Sequence, residues 1–232
     1  MPEPLPAPTA RERLWGWVLD YAFVTYWMLH ALSARSRPDE LLRPDLAPGS
    51  PVLLIPGVFE SWRFMQPVAG HLFRSGHPVH VLDKLGYNTG AIPQMAQVVT
   101  DYLADRDLRD VTVIAHSKGG LIGKYACADP ATLSRVRHLI TVNTPFSGSR
   151  YAYLFLLPSV RMFTPTSSMI RQLEASSAIN GRISSLYSVF DPHIPETGHL
   201  RGAENILLGT IGHFRPLGDP ATLNIISTIM AR

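Results

Sequence analysis

The stretch Val111-Thr-Val-Ile-Ala-His-Ser-Lys-Gly-Gly-Leu-Ile-Gly-Lys-Tyr-Ala126 decides the fold. It runs from an apolar, β-branched strand through Ser117 directly into a helical pattern. A serine on such a turn holds its hydroxyl above the sheet, beside the free N–H groups of a helix amino terminus. Strand and helix come so close there that the positions two before and two after the serine must be small, and here they are Ala115 and Gly119. The competing reading is a serine that only caps a helix. His116 is adjacent to Ser117, but neighbouring side chains in such a turn diverge, so it is not taken as the base.

Around this segment, short apolar runs alternate with helix-length stretches, the pattern of βαβ units and a parallel sheet. Strands are expected at 52–55, 79–82, 111–115, 138–142, 183–189 and 205–211, and helices at 62–75, 93–104, 118–128, 167–174 and 220–230. This predicts a doubly wound α/β fold with a mostly parallel six-stranded sheet. Chemistry in such a sheet belongs just beyond the carboxyl ends of the strands. Two further residues meet that condition after Ser117. Asp191 follows Leu186-Tyr-Ser-Val-Phe190 and is itself followed by the strand breaker Pro192, and His213 follows Ile206-Leu-Leu-Gly-Thr-Ile-Gly212.

With its Ala-His-Ser-x-Gly-Gly segment, the chain resembles the α/β-hydrolase superfamily, and within it the small bacterial lipases and esterases. The resemblance covers about residues 51–232 and implies a minimal form of that fold. The interval from Asp191 to His213 and the pattern G-x-x-N-x-x-x-x-x-x-G-H, Gly202 to His213, are similar to those lipases. The order Ser, acid, His implies a triad in which His213 takes the Ser117 proton, Asp191 steadies the imidazolium, and an acyl-enzyme forms and is hydrolysed. An oxyanion hole would use the N–H of Lys118 and a donor from the loop 54–62, which the resemblance maps to Val58. Pro56 stands where many relatives have His, which leaves Phe59 as the competing donor. Lys118 also departs from the uncharged residue usual after the nucleophile. Its cation would assist an anionic intermediate unless it is solvated.

Other histidines were weighed against His213. His193-x-x-Glu196-x-x-His199 has metal-ligand residue types, but Pro195 and Gly198 break the helix that would bring them together, and a solvated loop at the pocket rim is expected instead. His30, His71, His77, His80 and His138 lie before or within elements, away from the active edge. No metal or cofactor is called for, since no Gly-rich loop opens a helix after a strand in phosphate-binding form. The segment at about 150–182, with the apolar run Tyr151-Ala-Tyr-Leu-Phe-Leu-Leu157, is read as a short cap over an acyl-binding pocket, with packed core as the alternative.

The 232 residues are 46% hydrophobic and 17% charged, enough for a sizeable core. Cys127 is the lone cysteine, so no internal disulfide framework exists. A net charge of +3, dispersed along the chain, gives no argument for nucleic acid. Three of four tryptophans, Trp15, Trp17 and Trp27, fall in a run Leu14–Leu29 that is apolar apart from Gly16, Asp20 and Thr25. Residues 1–50 are read as an amino-terminal extension: a disordered proline-rich lead-in over 1–10, this helix, and a linker over 35–50. A signal peptide or a membrane span is disfavoured by the bulky aromatics and by Asp20. A helix lying on a membrane through residues 14–33, or packed on its own domain, fits better, which favours a cytoplasmic or peripheral-membrane location over secretion.

The expectation is therefore a cofactor-free serine hydrolase of carboxylic esters, of lipase or esterase type, acting on small-molecule or lipid esters. A thioesterase, acyltransferase or polyester hydrolase would use the same triad. An inactive, membrane-docked interaction protein is the reading from another class.

Overall fold

The computed structural model describes residues 6–33, 37–43 and 49–232. Six strands form one sheet: β1 (Val52–Ile55), β2 (Val79–Val81), β3 (Val111–His116), β4 (Val136–Val142), β5 (Ile183–Phe190) and β6 (Glu204–Ile211). Their order is β2-β1-β3-β4-β5-β6, and every neighbouring pair is parallel. Because side chains alternate across a strand, β1 sends Leu53 and Ile55 into one core layer and Val52 and Leu54 into the other. Both faces are covered, and a fully buried leucine or isoleucine in either layer contributes about 1.5–3 kcal/mol.

The helices are α1 (Ala10–Ser33), α2 (Gln66–Arg74), α3 (Ile92–Asp105), α4 (Lys118–Ala126), α5 (Pro130–Leu133), α6 (Pro158–Arg161), α7 (Ser168–Ala175) and α8 (Pro220–Met230). Buried residues of α3, α4 and α7 pack on one face of the sheet, and those of α2 and α8 on the other. The expected doubly wound α/β sheet is thus present, with strand bounds within two residues of those read from sequence. The expected helix over 62–75 starts one turn late as a regular helix, since Trp62–Met65 is a 3-10 turn and Pro67 lies at the first positions of α2.

α1 begins in a reciprocal cap: Thr9 N–H donates to Glu12 Oε2 at 2.7 Å, and Glu12 N–H to Thr9 Oγ1 at 3.3 Å. One face carries Asp20, Phe23, Val24, Trp27 and Met28 against the domain beside β6, the 3-10 turn Trp62–Met65 and a second one over Arg215–Gly218. Toward its amino-terminal end α1 leaves Leu14, Trp15, Trp17, Val18 and Leu19 exposed. Among the described residues, no helix is long and apolar enough to cross a membrane. Of the expected linker, residues 35–36 and 44–48 lie outside the described residues, as do residues 1–5 of the lead-in, and Pro38–Leu41 forms a 3-10 turn.

Candidate active site

In a parallel sheet all carboxyl ends share one edge, so the residues that follow β1, β3, β5 and β6 converge there. Ser117 stands between β3 and α4 with φ 49° and ψ −120°, a conformation that costs a non-glycine residue energy and is held only by firm surroundings. Those surroundings are visible. Ser117 N–H donates to Val142 O at 2.9 Å, and its carbonyl accepts from Thr144 Oγ1 at 3.0 Å. Gly119 lies against the carbonyls of Ile55 and Pro56, where any Cβ would collide with backbone, which is why the second position after the serine must be small.

The loop after β1 is built around Glu60. Its carboxylate is buried, accepts Gly57 N–H at 2.8 Å, and pairs with His116 Nδ1 at 2.9 Å. Phe59 turns the chain with φ 63°. Among the described residues, the N–H groups of Val58, Phe59 and Lys118 have no acceptor within the chain. Unpaired donors after β1 and at the head of α4 are the raw material of an anion site.

Asp191 follows β5 directly. Its Oδ1 accepts from the N–H groups of His193 at 2.7 Å and Ile194 at 3.1 Å, and its Oδ2 from His213 Nδ1 at 2.7 Å. Both side chains are 6% exposed. Burial by itself would raise the Asp191 carboxyl, but the facing His213 outweighs it and holds the acid below its ordinary value. Burial likewise opposes the His213 imidazolium. Asp191 prevails there too, with smaller help from Glu60 and Asp20, and the imidazole lies above its ordinary value.

The backbone of His213 is also fixed. Its carbonyl accepts from His116 Nε2 at 3.0 Å and Asn143 Nδ2 at 2.9 Å, and its N–H donates to Asp20 Oδ2 at 2.9 Å. Asn143 additionally bonds Gly212 O, Ser188 Oγ and Ser188 N–H, so the ends of β4, β5 and β6 are tied through one amide.

Two expectations are corrected. His193 is not in a solvated rim loop: its ring packs 4.9 Å from that of His213, its Nε2 lies 3.3 Å from the Tyr21 hydroxyl, and burial pushes it down to about 4. Glu196 turns away to Arg150, and His199 is exposed, so the three residues with metal-ligand chemistry diverge. Lys118 is neither solvated nor turned to the oxyanion donors. Its buried ammonium donates to Asn88 O at 2.8 Å and to Gly90 O, and burial pushes it down to about 8. Apart from Ala152, which is buried in the core, the apolar run of the expected cap is surface, with Leu154 79% and Leu156 87% exposed.

Sequence reasoning did not assign Asp20, Glu60 or Asn143 to this edge. Asp20 and Glu60 did carry a signal, since each is a lone acid in an apolar stretch, and such a residue is buried only with partners.

A family model described as alpha/beta hydrolase fold matches residues 50–166. No curated protein matches the chain. Among solved structures, the Bacillus licheniformis lipase BlEst2 in mature form superposes with a TM-score of 0.69 at 16% identity, over 81% of this chain and 94% of that one. The naproxen esterase from Bacillus subtilis gives 0.56 at 14% identity, over 82% and 85%. The alpha/beta hydrolase MGS-MChE2, from a sediment metagenome of the lagoon of Mar Chica, Morocco, gives 0.57 at 15% identity, over 79% and 90%. At these identities the likeness is one of fold. The family match spans half of the chain, which therefore belongs to the alpha/beta hydrolase fold family, a family of hydrolases.

Proposed function

We propose that this protein hydrolyses carboxylic esters through an acyl-enzyme on Ser117, with His213 as general base and Asp191 as its partner. The observation that carries this reading is the buried 2.7 Å contact between Asp191 and His213, on the same sheet edge as a serine in a strained strand-to-helix turn. The contacts with Val142 and Thr144 hold Ser117 at the turn, the Asp191 contact fixes the proton on His213 Nδ1, and Nε2 is then free to take the serine proton. The N–H groups of Val58 and Lys118 stabilise the tetrahedral oxyanion. The Lys118 ammonium, bound to loop carbonyls, contributes rigidity and not charge to that step.

Ser117 is 9% and His213 5% exposed, so little of either residue meets solvent. The cap supplies an apolar surface for the acyl group. Arg13, Leu14 and Trp17 of α1 and Tyr151 of the cap line a cleft of about 760 Å³ that extends to Asp191. Neither Ser117 nor His213 lines it, so it is not the acyl pocket; it joins two exposed apolar segments into one surface. Tryptophan and tyrosine beside Arg11 and Arg13 suit a lipid–water boundary, and a lipid ester presented at such a boundary is the substrate class that fits. Turnover of p-nitrophenyl esters of graded acyl length, present in the native chain and absent in Ser117→Ala, tests the reading.

A further inference from the structure

Asp20 is the one charged residue between Leu14 and Leu29, and it is wholly buried. Its Oδ2 accepts from His213 N–H at 2.9 Å, and its Oδ1 from the N–H groups of Phe214 and Arg215 at 2.8 Å each. These are the donors at the head of a 3-10 turn over Arg215–Gly218. The first N–H groups of such a turn have no partner within it. The residue before the turn, Phe214, offers no side-chain acceptor, and the acceptor comes from a helix 193 residues earlier.

The intervening geometry is specific to this contact. Gly212 adopts φ 125°, and a Cβ there would strike the Asp20 carboxylate. His213 is consequently gripped on both sides of its Cα, by Asp20 at the N–H and by His116 and Asn143 at the carbonyl. Tyr21, the next residue of α1, reaches the His193 ring that lies on His213.

Resting on the assignment of His213 as general base, we infer that Asp20 is a positioning residue for it: α1 reaches into the catalytic apparatus and fixes the backbone of 213–215 so that Nδ1 of His213 meets Asp191. A plain structural brace would lower stability when weakened but leave the chemistry of the folded fraction unchanged. A positioning carboxylate also acts on the titration of the base. The titratable groups facing His213 are Asp191 and His193 beyond β5, His116 and Glu60 at the β1–β3 end, and Asp20 from α1. Loss of the Asp20 charge removes one of the groups that favour the imidazolium.

The test compares Asp20→Asn with Trp27→Ala, which weakens α1 packing away from the turn that the three N–H groups open. For Asp20→Asn, kcat is expected to fall on the order of 10-fold with KM little changed, short of the roughly 100-fold that a displacement of about 1 Å can cost. The acid limb of kcat/KM should move to lower pH. Trp27→Ala should lower Tm and leave the kcat and pH profile of the folded enzyme near native. If both variants lose activity only in proportion to Tm, or if Asp20→Asn does not fold while Trp27→Ala does, the role is structural and the proposal is overturned. Ser117→Ala assayed alongside separates the two levels: a Ser117→Ala enzyme that still turns over removes the function assigned above. Loss of turnover there, with Asp20→Asn unaltered, removes only the role of Asp20.

Discussion

His116 Nε2 donates a hydrogen bond to the carbonyl of His213 at 3.0 Å, and the two rings stand 4.9 Å apart. A carbonyl only accepts, so Nε2 of His116 carries a proton. Its Nδ1 meets Glu60, whose carboxylate also takes Gly57 N–H. The chain Gly57–Glu60–His116–His213 thus links the loop after β1, with its unpaired N–H donors, to the loop that carries the proposed base.

Glu60→Ala should therefore disturb two functions together. It leaves a buried imidazole nitrogen and the Gly57 N–H without partners, at about 1–3 kcal/mol for each. Urea melts should show that loss, and kcat for a p-nitrophenyl ester should fall in the fraction that remains folded. Native stability in the variant would mean that water or a repacked side chain replaces the carboxylate.

The acid limb of kcat/KM should have its midpoint above the ordinary histidine value of about 6.5, because Asp191 raises His213 in spite of its burial. The reacting form is neutral His213, so the rate rises with pH through that raised value. His193, pushed down to about 4, makes no contribution to the limb. Stability should follow the opposite sense. The contribution of the raised His213 is complete below its unfolded value and lost as pH climbs through the folded one, and that of the lowered Asp191 is lost as pH falls through its own. Asp191→Asn should cut kcat on the order of 10⁴-fold, as expected when the wrong imidazole tautomer is held. An acid limb at or below the ordinary value would contradict this assignment of charges.

Lys118→Met should destabilise without altering the chemistry. The ammonium satisfies Asn88 O and Gly90 O, and Met leaves two loop carbonyls unpaired, which costs about 1–3 kcal/mol apiece where they stay dry. Thermal melts and the pH–rate profile check it: Tm falls while the profile midpoint holds. A displaced midpoint would return the lysine to an electrostatic role.

The outer face of α1 should bind lipid. Vesicles of phosphatidylcholine with phosphatidylglycerol are expected to sediment the protein and shift its tryptophan emission to the blue. Trp15→Ser with Trp17→Ser should weaken that binding at least 10-fold, since burying a large apolar side chain contributes roughly 1.5–3 kcal/mol. Equal binding by native and doubly substituted protein would locate any lipid contact elsewhere.

The sheet was legible because the strands are short apolar runs, buried in β1, β2 and β3 and partly exposed at the β6 edge, and the placement of Ser117, Asp191 and His213 at one edge because each stands just past a strand. What escaped reading depends on contacts that no periodicity encodes. Asp20 meets the His213 loop across 193 positions, and Glu60 meets His116 across 56. In α1 the apolar residues surround the helix, so the pattern alone gave no face to dock; the buried carboxylate and its three N–H donors identify that face. For Lys118 the sequence leaves an electrostatic role and a solvated side chain both open, whereas its long side chain is buried and carries the charge to Asn88 and Gly90.

The central claim is that Ser117 is the nucleophile. The purified chain and Ser117→Ala should be treated with a fluorophosphonate probe, the modified peptide located by mass spectrometry, and p-nitrophenyl ester turnover measured in parallel. The account predicts a single adduct on Ser117, with labelling and turnover both lost in Ser117→Ala although its melting curve is close to native. Turnover that persists in Ser117→Ala, or an adduct on another residue of the native chain, would contradict it.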